Sequence, residues 1–73
     1  MNATDEQWAK YGRVLDFLSK RMVDRNMGHS DLAKKTGMSK QLISLYFLRK
    51  NIPTVISLIR MMEALDIKTI EVE

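Results

Sequence analysis

Apolar residues recur at intervals of three and four along most of this chain, the period of a helix packed on one side. The first run is Trp8, Tyr11, Leu15, Leu18 and Met22, with Val14 and Phe17 broadening the stripe. Thr4 followed by Gln7 is a capping-box signature. Together they predict a helix from about Asp5 to Arg25 that ends near Asn26 and Gly28. About six turns is long for so short a chain. Trp8 and Tyr11 therefore either extend the core or cover another surface.

A shorter helix is predicted from His29 or Ser30 to Thr36, with Leu32 and Ala33 inward and Lys34 and Lys35 outward. Gly37 suits the left-handed conformation that stops a helix. Ser39 is a good N-cap for a third helix, continuing to about Leu48 and turning Ile43 and Tyr46 to the core. Asn51–Thr54 reads as a loop, because Pro53 biases Ile52 away from helix and Thr54 can cap a fourth helix. Val55, Leu58, Met61, Met62 and Leu65 then form the expected inner stripe of that helix, which ends near Asp66.

The tail is less regular. Ile70 and Val72 alternate with charged residues as in a strand, yet a single strand is not stable alone. A short fifth helix, a frayed end and an edge strand paired with a second subunit all fit, and the strand is favoured. The expectation is an all-α, compact domain of four to five helices, with a long first helix and a possible short C-terminal strand. Seventy-three residues leave room for one core. Residues 1–73 therefore read as a single domain, with tails at 1–4 and 67–73.

Charge divides this pattern unevenly. Residues 1–31 carry five acids and five bases, which cancel. Residues 32–62 carry Lys34, Lys35, Lys40, Arg49, Lys50 and Arg60 with no acid at all, and residues 63–73 are net acidic. A basic run is often only a solvated face. Here it contains the turn and the third helix, so a polyanion drawn to it meets an element able to read it. The chain has no cysteine, which excludes disulfides, thiolate ligands and thiol nucleophiles and fits a reducing compartment. The polar, acidic N-terminus is no signal peptide, and no apolar run approaches the roughly 20 residues that span a bilayer. A soluble, cytoplasmic protein without membrane association is expected. No metal cluster, nucleophile–base pair or phosphate loop is visible, so neither an enzyme nor a cofactor is expected.

Helix, glycine turn and capped helix over Ser30–Ser44 is the arrangement of a helix-turn-helix. Ala33 is small where two helices cross, Gly37 turns the chain, and Ile43 anchors the third helix to the second. From Gly28 to Leu65 the sequence resembles, without a gap, the lambda-repressor and Cro class of helix-turn-helix domains, the xenobiotic-response-element family. Leu32–Ser39 is similar to that family's helix 2 and turn. Ile43-Ser44, Asn51–Thr54 and Leu58…Ala64-Leu65 are similar to its recognition helix, following loop and fourth helix. The resemblance implies a DNA-binding domain in which Lys40, Gln41, Ser44 and Leu45 point into the major groove. The helical wheel agrees, because these residues lie opposite Ile43 and Tyr46. Gln41 can pair bidentately with adenine, Lys40 can take a guanine or a phosphate, and Leu45 can only touch a thymine methyl.

His29 stands where the family often has a phosphate-contacting glutamine, and is otherwise an ordinary exposed histidine near a helix start. Ser39 is explained by its cap and could add a phosphate contact. Lys34, Lys35, Arg49 and Lys50 could meet the DNA backbone or simply be solvated. Family members commonly pair an arginine late in helix 1 with a glutamate near the end of helix 3. Met22 and Phe47 stand there, so an apolar contact is expected instead of an ion pair. The family's glycine after helix 3 is Arg49, so either the helix continues or a non-glycine residue closes it.

Leu48, Ile52, Ile56 and Ile59 are surplus apolar residues in a region expected to be polar. They are either scattered hydrophobes or one partner surface. A two-fold homodimer, to whose interface Ile70 and Val72 could add, would hold recognition helices about 34 Å apart on a palindromic operator. The expected function is a sequence-specific double-stranded-DNA-binding regulator, a small phage- or mobile-element-type repressor. The alternative is a protein-interaction module reusing the fold, such as an antirepressor or an inhibitor of another DNA-binding protein.

Overall fold

The computed structural model describes residues 2–68. Its helices are α1 (Asp5–Asp24), α2 (His29–Thr36), α3 (Lys40–Phe47) and α4 (Val55–Ala64), and no strand occurs among the described residues. Ile70 and Val72, and with them the expected strand or fifth helix, lie outside that range.

Three of the four helices start on the hydroxyl that the sequence offers. The Thr4 hydroxyl accepts from the Gln7 N–H at 3.1 Å, while the Gln7 side chain accepts from the Thr4 N–H at 2.8 Å. Ser39 and Thr54 accept from Leu42 and Ser57 at 3.0 and 3.1 Å. The start of α2 is different: Gly28 is the N-cap, and its N–H donates to the Asp31 carboxylate at 2.9 Å.

Helix ends share a common device. Asn26, Arg49 and Asp66 each adopt a left-handed conformation, with φ of 55°, 63° and 56°. The next N–H then reaches back over the last turn: Met27 to the Met22 carbonyl at 2.8 Å, Lys50 to Leu45 at 3.0 Å and Ile67 to Met62 at 2.8 Å. Each bond satisfies a carbonyl that the helix end would otherwise orphan. Asparagine and aspartate tolerate this conformation because their short polar side chains bond locally. Arg49 has no such help, yet α3 stops beside it. A non-glycine residue thus closes this helix.

Leu18, Leu32, Ile43, Met61 and Leu65 are fully buried, so every helix or its cap sends at least one side chain to the centre. Burying each aliphatic side chain contributes roughly 1.5–3 kcal/mol. Met22, Tyr46 and Ile67 complete the core cluster.

Two expectations of the stripe change. Val55 is 72% exposed and does not belong to the inner face. It lies six residues before Met61, which at 3.6 residues per turn places it about 120° round the helix. Ile67 takes up core area instead, brought back by the turn at Asp66. At the other end, Leu15, Leu18 and Met22 are buried, Tyr11 is half-buried and Trp8 is exposed. The start of α1 thus runs past the core.

That overhang is nonetheless tied to α3. Trp8 and Tyr11 pack edge to face with centroids 6.0 Å apart, and the Tyr11 hydroxyl donates to the Tyr46 carbonyl at 3.5 Å. Burial pushes the Tyr11 phenol above its ordinary pKa, with the Arg49 charge acting in the opposite sense. The Arg49 guanidinium lies against Gly12, where a Cβ would stand 2.8 Å from Nη2. Gly12 is thus a notch in α1 that receives the side chain closing α3.

Candidate nucleic-acid interface

The turn between α2 and α3 is held by short-range polar bonds. Gly37 takes φ 74° and ψ 11°, and its N–H donates to the Ala33 carbonyl at 2.9 Å. The Thr36 hydroxyl donates to the Leu32 carbonyl at 2.7 Å and accepts from the Met38 N–H at 3.3 Å. Ser39 then caps α3. Leu32 and Ile43, both fully buried, pin the two helices to the core, so the second helix leaves the turn in one orientation.

The inward face of α3 is Ile43 and Tyr46; Lys40 and Gln41 are exposed, and Ser44 and Leu45 are half-buried. Lys40 and Ser44 lie one turn apart, as do Gln41 and Leu45, so all four share the outward half of the helix. Lys34, Lys35, Ser39, Arg49 and Lys50 are exposed, with the Arg49 guanidinium turned towards Gly12 on α1. Lys35 also lines an open depression with Thr36, Arg60, Glu63 and Ala64.

His29, at the first position of α2, is not an isolated surface group. Its Nδ1 lies 3.0 Å from the Ser44 hydroxyl oxygen, and its ring stacks on Phe47 with centroids 5.2 Å apart and planes 17° from parallel. The ring therefore spans from α2 to two positions of α3 that lie one turn apart. Phe47 packs against the core cluster, of which Met22 is one member, and it also carries the histidine. Nothing in the sequence pattern links positions 29 and 47. The same holds for Gly12 and Arg49, although a glycine inside a long helix marks a place where something approaches closely.

A model described as helix-turn-helix matches residues 18–72. The chain belongs to the lambda-repressor/Cro-like helix-turn-helix family. This is a DNA-binding helix-turn-helix family, and α2, the turn and α3 all lie within the match. Residues 5–17 of α1, including Trp8, Tyr11 and Gly12, precede it. No curated protein and no solved structure matches the chain significantly.

Large aliphatic side chains are also exposed in this helix-turn-helix domain. Leu48, Ile52, Val55, Ile56 and Ile59 are between 41% and 72% exposed. They run from the end of α3 through the loop into α4, where Val55, Ile56 and Ile59 have the three- and four-residue spacing of one helix face. Val55 joins this set after leaving the core stripe. No helix among the described residues is long and apolar enough to cross a membrane.

Proposed function

We propose that this protein is a sequence-specific regulator of transcription, a small phage- or mobile-element-type repressor that occupies a palindromic operator as a homodimer. The observation that carries the reading is the outward face of α3, with Lys40, Gln41, Ser44 and Leu45 presented from a capped, core-anchored helix in an acid-free stretch. Gln41 reads a base edge, Lys40 reads guanine or holds a phosphate, and Leu45 lies against a thymine methyl. Ser39, Lys34, Lys35, Arg49 and Lys50 contact backbone phosphates, and His29 does so beside the amides at the start of α2. Blocking polymerase by occupancy is the simplest mode of action for a domain that binds an operator in this way.

The dimer reading rests on Leu48, Ile52, Ile56 and Ile59. Large exposed aliphatics in one stretch are what a partner surface requires, and a two-fold pair would place two α3 helices on successive major grooves. The same patch favours a second reading, in which the domain binds another protein and not DNA. Selection from random duplex DNA, followed by salt titration, separates them. A repressor enriches a palindrome and loses affinity steeply with salt, by a slope of about −0.9 per phosphate contacted. No enrichment at low salt would favour the protein-interaction module. A monomer by light scattering, free and DNA-bound, would remove the homodimer.

A further inference from the structure

We infer that His29 is a specificity-determining residue that acts through Ser44, by fixing which hydrogen-bonding face the serine hydroxyl offers to a base. This rests on the reading of α3 as a major-groove helix. A serine hydroxyl carries one donor and two acceptor lone pairs and rotates to suit its partners, so alone on a recognition helix it accepts either kind of base edge. Here it is not alone. His29 Nδ1 stands 3.0 Å from Ser44 Oγ, and the stack on Phe47, three residues further along α3, holds the ring plane. Two attachments one turn apart fix both the position and the tilt of the imidazole.

The other ring nitrogen, Nε2, has no hydrogen-bond partner among the described residues. His29 opens α2, where backbone N–H groups favour a phosphate. In the neutral ring, a phosphate oxygen at Nε2 selects the tautomer with the proton on that nitrogen, which leaves Nδ1 as an acceptor. The Ser44 O–H then donates to Nδ1, and only Oγ lone pairs remain for the groove. These accept from the exocyclic amino groups of adenine (N6) or cytosine (N4). They repel the oxygens of guanine (O6) and thymine (O4). A residue that touches the backbone thus converts an indifferent serine into a reader of amino over keto bases. The coupling runs from phosphate through imidazole to hydroxyl.

The test uses the full chain and the site it selects from random duplex DNA. The base read by Ser44 is the position whose preference disappears in Ser44→Ala. At that position the wild type should favour adenine or cytosine over guanine or thymine by about two- to tenfold, the range of one neutral hydrogen bond. His29→Phe keeps an aromatic ring on Phe47 and removes both ring nitrogens. It should bring that ratio close to one, and in the Ser44→Ala background it should change the ratio no further. An unchanged ratio in His29→Phe, an equal change in both backgrounds, or a wild-type preference for keto bases would overturn the inference while leaving the DNA-binding reading intact. A wild type that enriches no DNA would refute both. The ring itself gives an independent readout that needs no variant to fold. In the DNA-bound wild type, nitrogen NMR should show His29 Nδ1 unprotonated and Nε2 protonated, and a proton on Nδ1, in either the other tautomer or the charged ring, would overturn the proposal.

Discussion

At its start α3 is fixed by polar bonds: Ser39 caps it, Thr36 ties the preceding turn, and His29 reaches across to Ser44. At its end the helix leads into Leu48, Ile52, Val55 and Ile56, each at least 60% exposed. The first region has its large apolar side chains, Leu32 and Ile43, already buried and many directional contacts besides, so its geometry is set within one chain. The second has much apolar area and no covering element among the described residues, so its free energy improves when something covers it. A helix that must enter a groove at one angle needs the first kind of support. A surface that joins another molecule needs the second. On the proposed function, the first stretch meets DNA and the second meets a partner chain.

The sharpest way to break that contrast is to cut one aliphatic side chain on each side of it. Ile43→Ala removes a fully buried anchor of α3 and should cost about 2–5 kcal/mol, a large part of what so small a domain possesses. Ile56→Ser should change the stability of the dilute protein by less than about 0.5 kcal/mol. Denaturant titration of both variants checks this, and a comparable loss in Ile56→Ser would place the patch in the core. Next in size is the turn. Gly37 has open space around a notional Cβ but a φ of 74°, so Gly37→Ala should lose about 1–2 kcal/mol through backbone conformation alone. A smaller and opposite effect belongs to α1. Gly12→Ala meets only the far end of the flexible Arg49 side chain, so the gain in helix propensity should dominate and stabilise the fold by up to about 1 kcal/mol. A lower melting temperature would show that the Arg49 contact with Gly12 outweighs that gain.

Much of the fold is legible in the sequence because its signals are local. Thr4, Ser39 and Thr54 cap the helices that their positions predict, and Gly37 takes the left-handed turn. The buried stripe of α1 and the inward Ile43 and Tyr46 come from spacing alone. Val55 departs from its expected place because a stripe counted in threes and fours drifts round the helix, and its first member has turned away from Met61. The features that escape the sequence are pairs distant along the chain. His29 meets Ser44 and Phe47, and Arg49 meets Gly12, only once the helices are packed. The outward face of α3 is legible as a pattern. That His29 occupies one of its hydroxyls is not, because no periodicity encodes a contact between two helices.

The most direct measurement on the central reading is the base preference of Gln41→Ala beside that of the wild type, by selection from random duplex DNA. Gln41 is exposed on α3 and its side chain makes no hydrogen bond within the described residues, so its removal should leave the fold intact. The expected result is loss of preference for adenine at one position of each half-site, worth about 1–3 kcal/mol, with the other positions unchanged. An identical profile from the two proteins would contradict a groove-reading role for this face of α3.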